Sequence, residues 1–203
     1  MNPSRSEQVV DPSDVLAFLR IRPMRIEDLP AVHQIDHLSF SLPWPESSFR
    51  YELLENPRSL QRVAEMDLSD GQPQVVGETV VWLILDEAHI ATIAVHPDFR
   101  GRGIAHRLLA EVLGIAISQG ANQATLEVRE NNHTARNLYH RFGFTVMGRR
   151  LRYYKDNNED ALIMTVNNLG EAYLTWLKNG GWQAAGFGQR DQQLHARILK
   201  TRS

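Results

Sequence analysis

The stretch His89-Ile-Ala-Thr-Ile-Ala-Val-His-Pro-Asp-Phe-Arg-Gly-Arg-Gly-Ile-Ala-His-Arg-Leu-Leu109 decides how the chain is read. His89 to Val95 is short, apolar and β-branched, as a buried strand is, and Pro97 and Asp98 end it. After Gly103 the apolar positions Ile104, Leu108, Val112 and Ile115 recur at helical spacing. A strand therefore passes through a glycine turn into a helix. Gly101 and Gly103 leave the backbone bare where the first unpaired N–H groups of that helix point outward, so amides and helix dipole together suit an anion. Arg100 and Arg102 add positive charge beside them.

Working toward the N-terminus, Val75 to Leu85 and Ser59 to Ala64 read as strands, joined by Ser69-Asp70-Gly71-Gln72-Pro73, and the turn Asp86-Glu87-Ala88 leads into the His89 strand. Short polar turns make these three strands an antiparallel meander. A helix is expected from Glu46 to Glu55, behind the loop Ser39 to Pro45. Another follows the edge strand Leu19 to Arg25, with Leu29, Val32, Ile35 and Leu38 as its buried stripe. Toward the C-terminus the helix after the turn stops at Gly120, and Ala124 to Arg129 is the next strand. A helical crossover separates it from the His89 strand, so the two should lie parallel. Asn132 caps a short helix with Ala135, Leu138 and Phe142 facing inward, ended by Gly143. Phe144 to Tyr154 and Ala161 to Val166 complete the strands around the acidic loop Asp156 to Asp160. The fold class is mixed α/β, with residues 1–18 as an extension, residues 19–166 as the one domain and residues 167–203 as a second extension. Within that tail Glu171 to Leu177 offers one or two helical turns, and from His195 onward the chain is basic, as a solvated terminus or a local anchor on nucleic acid or a ribosomal surface would be.

Composition removes several functions. A formal net charge of -2 gives no global attraction for nucleic acid or an anionic membrane. The absence of cysteine rules out disulfides, thiolate metal sites and an acyl-cysteine intermediate. Val80 to Leu85 is the longest apolar run, too short to span a bilayer, and a cytoplasmic location is expected. His33-Gln34-Ile35-Asp36-His37 superficially resembles an inverted zinc-protease motif, but Asp stands in place of Glu and no third ligand is evident, so no metal is expected.

Which anion the turn holds depends on its details. A P-loop needs a Lys followed by Ser or Thr after its last glycine, and none is present in that register. A dinucleotide turn needs a third glycine where His106 stands, and it belongs at the first strand of its fold, whereas here antiparallel strands come first.

Arg100-Gly101-Arg102-Gly103-Ile104-Ala105 resembles the R/Q-x-x-G-x-G/A pyrophosphate loop of the GNAT superfamily of acyltransferases, and the order of elements from Leu19 to Val166 is similar too. Leu126-Glu127-Val128-Arg129, then Asn132, Leu138-Tyr139, Phe142-Gly143-Phe144, Tyr153-Tyr154 and Glu159-Asp160-Ala161, with Pro43-Trp44 earlier, narrow the resemblance to RimI-type protein N-terminal acetyltransferases. The resemblance implies the GNAT fold, a central, mostly antiparallel sheet flanked by helices with two splayed parallel strands, and acetyl-CoA as cosubstrate without a metal. Its pantetheine arm would pair with Ile93, Ala94 and Val95 and touch Asn132, and its pyrophosphate would lie on Arg100, Gly101, Arg102, Gly103, Ile104, Ala105 and His106. Ala105 stands where the family more often has glycine, within its allowed set.

Transfer of acetyl from a thioester to an amine needs a neutral amine, a stabilised oxyanion and a protonated leaving thiol. Strand alternation puts Thr125, Glu127 and Arg129 on one face of their strand, and Glu127 is the expected base, beside the coenzyme arm; an ordinary ion-paired strand residue is the competing reading. Tyr139 is the expected acid, against a reading as a core aromatic. Backbone N–H groups near Val95 are expected to polarise the thioester carbonyl. The resemblance further places a protein N-terminus, with a small first residue such as alanine and a ribosomal protein as its source, between Leu42, Pro43 and Trp44 on one side and Tyr153 and Tyr154 on the other. Arg149, Arg150, Arg152 and Lys155 read either as a solvated strand edge or as an attraction for acidic residues of the peptide. Acetylation of a small amine or a lysine side chain, and an idle module that binds acetyl-CoA for regulation, are the alternatives; a monomer or weak dimer is expected, with no membrane or direct nucleic-acid partner.

Overall fold

A computed structural model describes residues 19–67 and 72–183. The turn residues 68–71, the lead-in 1–18 and the basic end from His195 lie outside the described residues. The chain runs β1 (Leu19–Pro23), α1 (Leu29–Ser39), α2 (Glu46–Leu54), β2 (Ser59–Asp67), β3 (Pro73–Ile84), β4 (Glu87–Val95), α3 (Ile104–Ser118), β5 (Gln123–Arg129), α4 (His133–Arg141), β6 (Thr145–Tyr154), β7 (Glu159–Asn167) and α5 (Glu171–Lys178). One seven-stranded sheet has the order β1-β2-β3-β4-β5-β7-β6. Every neighbouring pair is antiparallel except β4 and β5, which are parallel as the helical crossover requires.

Helix α3 packs on one face of the sheet. Ile104 and Leu108 meet Leu19, Ala64, Val76 and Val95, while Leu109, Val112, Leu113 and Ala116 join the larger cluster with Ile90, Leu126 and Val128. The helix sits close because Gly77 of β3 has no side chain: a Cβ there would come within 3.1 Å of the Ala94 carbonyl and of Leu108 Cδ1. Helices α1 and α2 cover the other face through Leu29, Val32 and Phe49 against Val63 and Val80. The α1 stripe differs from expectation at one position. Leu38 is half exposed, and Asp36 takes the inward place, because the helix turns its buried side toward β3 and the loop that follows it.

Three strands, β2, β4 and β7, are longer than expected by two residues or more, β7 running from Glu159 to Asn167. β2 continues to Asp67 because Glu65 and Met66 pair with β3 on one side and β1 on the other. β4 begins at Glu87 rather than His89, since Leu85 adopts a left-handed φ of 56° and lets Ile84 pair directly with Glu87. Beyond Val166 the chain packs onto the domain: Leu169, Tyr173 and Leu177 enter the large cluster, and the Tyr173 hydroxyl donates to the Phe142 carbonyl at 2.6 Å. Trp182, in a short turn after α5, stacks on Phe142 and on His106, so this segment braces the start of α3.

Candidate active site

Pairing between β4 and β5 runs from Glu87 opposite Gln123 to Ile90 opposite Leu126 and stops. Beyond it β4 stays on β3 as far as Val95, and β5 stays on β7 as far as Arg129, so the two strands diverge and open a gap in the sheet. A cavity of about 760 Å³ occupies the α3 and α4 side of that gap. Ile93, Ala94 and Val95, then Arg100, Gly101, Gly103, Ile104, Ala105 and His106, and Asn132 and Tyr139 all line it. Ser39 and Phe40, from the loop expected to flank the acceptor, also line it, as do Asn137 and Leu138, which were not expected at the coenzyme since nothing in the local pattern of α4 marks which side chains border a gap between strands.

The glycine turn is conformational rather than spatial in origin. Gly101 and Gly103 sit at φ 77° and 76°, where other residues are strained, yet an added Cβ at either would meet nothing within 4 Å. Gly103 caps α3 without a side-chain bond, so among the described residues the first N–H groups of the helix, at the cavity wall, have no capping side chain. The arginines do less than expected. Arg100 donates from Nε to the Val95 carbonyl and from Nη2 to Ser39 Oγ, both at 2.9 Å, which braces the turn against β4 and α1. Arg102 does not line the cavity; its guanidinium lies 5.1 Å over the Phe99 ring and donates to the Asp98 carbonyl. An anion here rests on amides and the helix dipole.

Asn132 accepts from Ala135 N–H at 3.1 Å as the cap of α4, leaving its Nδ2 without a partner among the described residues. Tyr139, 6% exposed, forms no hydrogen bond through its hydroxyl among the described residues, and burial first, then nearby Tyr154 and Glu78, hold that phenol above its ordinary range. It remains protonated at neutral pH and lines the cavity.

Glu127 is on the other face. Alternation along β5 sends Leu126 and Val128 into the core under α3, so Glu127 does not line the coenzyme-side cavity as expected and instead approaches the gap from the α1 and α2 side. Its Oε1 lies 2.9 Å from Arg150 Nη2 and its Oε2 lies 3.4 Å from His89 Nε2. His89 stacks on Trp82 at 5.3 Å, and Trp82 on Trp44 at 6.2 Å, so a row of rings leads from the carboxylate to the loop after α1. Pro43 and Trp44 are half-buried there and Leu42 is exposed.

Arg129 joins that loop to the β6–β7 hairpin. Its Nη2 donates to Ser41 Oγ and Asp156 Oδ2, both at 2.8 Å, its Nη1 reaches Glu159, and its guanidinium lies 3.8 Å over the Tyr154 ring. The Ser41 hydroxyl also donates to Asp156. Tyr153 and Tyr154 follow at the hairpin, Tyr154 with its phenol pushed up to about 12 by burial. The arginines of β6 are not a free basic patch. Arg149 pairs with Glu130 and Asp160, and Arg150 with Glu127, so both half-exposed arginines already have acidic partners on β5, just after it or on β7, and of the two readings the attraction for acidic peptide residues loses support at those two positions.

Among the buried carboxyls, Glu78 was not singled out in the sequence, and Asp36 was read only as part of the discounted His33–His37 motif. Glu78 of β3 is fully buried, accepts from Thr92 Oγ1 at 3.1 Å and keeps its other oxygen unpartnered. Asp36 of α1 accepts from Trp44 N–H at 2.7 Å, likewise with one oxygen free. Burial, reinforced by Asp36, pushes the Glu78 carboxyl up to about 8. For Glu78 the one signal in the sequence is a carboxylate inside an apolar strand run, and Asp36 in α1 carries none of that kind.

A gapped sheet with an anion-binding helix start on one face and a carboxylate approaching from the other defines an acyl-coenzyme-dependent transferase. The chain belongs to the acetyltransferase (GNAT) family, whose model matches residues 29–144. A relative from Bacillus subtilis (strain 168) is 40% identical over 146 residues, 72% of this chain and 93% of that one, and its name provisionally assigns ribosomal protein bS18-alanine N-acetyltransferase activity. The crystal structure of the ribosomal-protein-S18-alanine N-acetyltransferase from Escherichia coli is 30% identical, with a TM-score of 0.65 over 74% of this chain and 94% of that one. The crystal structure of the NatC complex bound to Gag peptide and CoA contains a chain of 26% identity and TM-score 0.68, covering 74% of this chain and 98% of that one.

Proposed function

We propose that the protein transfers acetyl from acetyl-CoA to the α-amino group of a protein N-terminus, with a ribosomal protein that begins with alanine as the acceptor. The observation that carries this reading is the meeting of two approaches at one gap: the Tyr139 cavity from one face of the sheet and Glu127 from the other. The relatives named for the same reaction support it, as does a fit between the amides at the start of α3 and a pyrophosphate. When bound, acetyl-CoA supplies an activated acyl group and a thiol leaving group.

The residues divide the work. The α3 amides and Asn132 Nδ2 hold the coenzyme, and the backbone of Ile93 to Val95 orients its arm and polarises the carbonyl. An α-amino group titrates at about 7.7–8.0, so much of it arrives as ammonium. Glu127 removes that proton directly or through one water. The neutral nitrogen forms a bond to the acyl carbon, the carbon–sulfur bond breaks, and the surplus proton on nitrogen leaves through the same carboxylate while Tyr139 delivers a proton to the sulfur and is reprotonated from solvent; an ammonium acceptor thus loses two protons, one ending on the thiol and one in solvent. With no cysteine in the chain, transfer is direct within a ternary complex. Leu42, Pro43, Trp44, Tyr153 and Tyr154 flank the acceptor, beneath the Arg129 link between their two segments. Such a reaction belongs in the cytoplasm, where the coenzyme and nascent ribosomal proteins are found. No helix among the described residues is long and apolar enough to cross a membrane.

Thiol release measured with acetyl-CoA and peptides of defined N-termini tests the reading. Turnover on alanine-first peptides but not on free small amines or internal lysines is expected; coenzyme binding without turnover on any amine would overturn it.

A further inference from the structure

A second cavity, of about 300 Å³, lies between α2 and the end of β3, away from the coenzyme. Its walls are the rings of Trp44, Tyr51 and Trp82 together with Glu52 and the serines Ser47 and Ser48. Three aromatic faces and one carboxylate are the chemistry of a site for an organic cation, because ring quadrupoles and a formal negative charge both favour positive charge while excluding water. The carboxylate is arranged for this. Glu52 is 7% exposed; its Oε2 accepts from Trp82 Nε1 at 3.0 Å and from Asn56 Nδ2 at 2.8 Å, which fixes the side chain, and its Oε1 has no hydrogen bond among the described residues. No lysine, arginine or histidine lines the cavity to neutralise it.

The same rings connect the cavity to the reacting centre. Trp82 stacks on Trp44 within the cavity wall and on His89 outside it, and His89 contacts Glu127. The cavity is therefore one ring stack and one ion-pair contact from the proposed base, a span that one or two residues of extended peptide plus a long side chain can bridge. Resting on the reading of the acceptor as a protein N-terminus, we propose that Trp44, Tyr51, Trp82 and Glu52 form a subsite for a lysine or arginine side chain at the second or third position of the acceptor. The first residue would then be chosen by the loop and hairpin, and the sequence downstream of it by this box. A basic peptide also meets little opposition from the β6 arginines, since Arg149 and Arg150 are already paired.

The experiment compares the peptides Ala-Arg-Arg-Gly-Gly-amide and Ala-citrulline-citrulline-Gly-Gly-amide, which differ in charge and hardly in shape, by calorimetric binding to the coenzyme-loaded protein and by kcat/KM for thiol release. Wild type is expected to favour the arginine peptide by roughly tenfold or more in both measurements. Glu52→Gln is expected to bring the arginine peptide down to about the citrulline level, whereas Glu55→Gln, an exposed carboxylate outside the box, keeps the wild-type ratio. Equal binding of the two peptides by wild type, or the same loss in both variants, would overturn the subsite. A binding preference that persists without turnover would leave the box standing and overturn the transferase reading instead.

Discussion

Glu127 and Arg150 form an ion pair at 2.9 Å, between the strand that borders the gap in the sheet and the exposed edge of the β6–β7 hairpin. His89 holds the second carboxylate oxygen, so Glu127 is anchored on both sides at the point where an acceptor amine would arrive. For the base role proposed above, this arrangement would orient the carboxylate, and it explains why a strand glutamate pointing away from the core is 14% exposed rather than solvated.

Removal of the charge at that position is predicted to slow chemistry alone. Glu127→Gln should lower kcat by about 10²–10⁴ while the Kd for acetyl-CoA stays nearly unchanged, because the coenzyme cavity is on the opposite face. Steady-state kinetics beside a direct titration with acetyl-CoA checks it, and a wild-type kcat in the variant would dismiss Glu127 as base.

Tyr139→Phe retains the buried ring and deletes only the hydroxyl, which forms no structural hydrogen bond among the described residues. A drop of about 10²-fold in kcat with little change in melting temperature is the expected result. Because burial holds this phenol above its ordinary range, the wild-type rate should show no loss from Tyr139 ionisation up to at least its usual titration near pH 10. Lost stability with unchanged kcat would instead mark a packing residue.

Arg129→Lys cannot reproduce a planar fork that reaches Ser41, Asp156 and Glu159 while lying over Tyr154. The two segments flanking the acceptor should loosen, with KM for peptide raised about tenfold or more and KM for acetyl-CoA unaffected. An equal rise in both constants would argue against a role confined to the acceptor side.

Glu78 makes stability depend on pH. Its folded carboxyl is raised to about 8 from the usual glutamate value near 4.3, so the folded state holds the proton more tightly than the unfolded chain. The stabilising contribution is complete below the lower value and is lost as pH rises toward about 8. Glu78→Gln, neutral throughout, should flatten the fall in melting temperature across that window and melt higher than wild type above it. Parallel melting curves for the two proteins over the whole range would remove Glu78 as the cause.

How much was legible in advance follows from the range of the interactions concerned. The sequence by itself determined the strand, glycine turn and helix from His89 to Leu109, the parallel placement of β5, and the cap at Asn132, because period, φ preference and capping act within a few residues. Only the tertiary structure decided that the coenzyme cavity and Glu127 lie on opposite faces of the gap, since that depends on which side of β5 the core claims. It also decided that Arg100 braces the turn through Val95 and Ser39, that Arg149 and Arg150 pair with acidic partners, and that Glu78 and Asp36 are buried. Those outcomes rest on pairings between residues far apart in the chain, where a side chain's charge is visible in the sequence and its partner is not. The aromatic box has the same origin: Trp44, Tyr51, Glu52 and Trp82 come from three separate segments, and only the packing of α2 against β3 gives them a common wall.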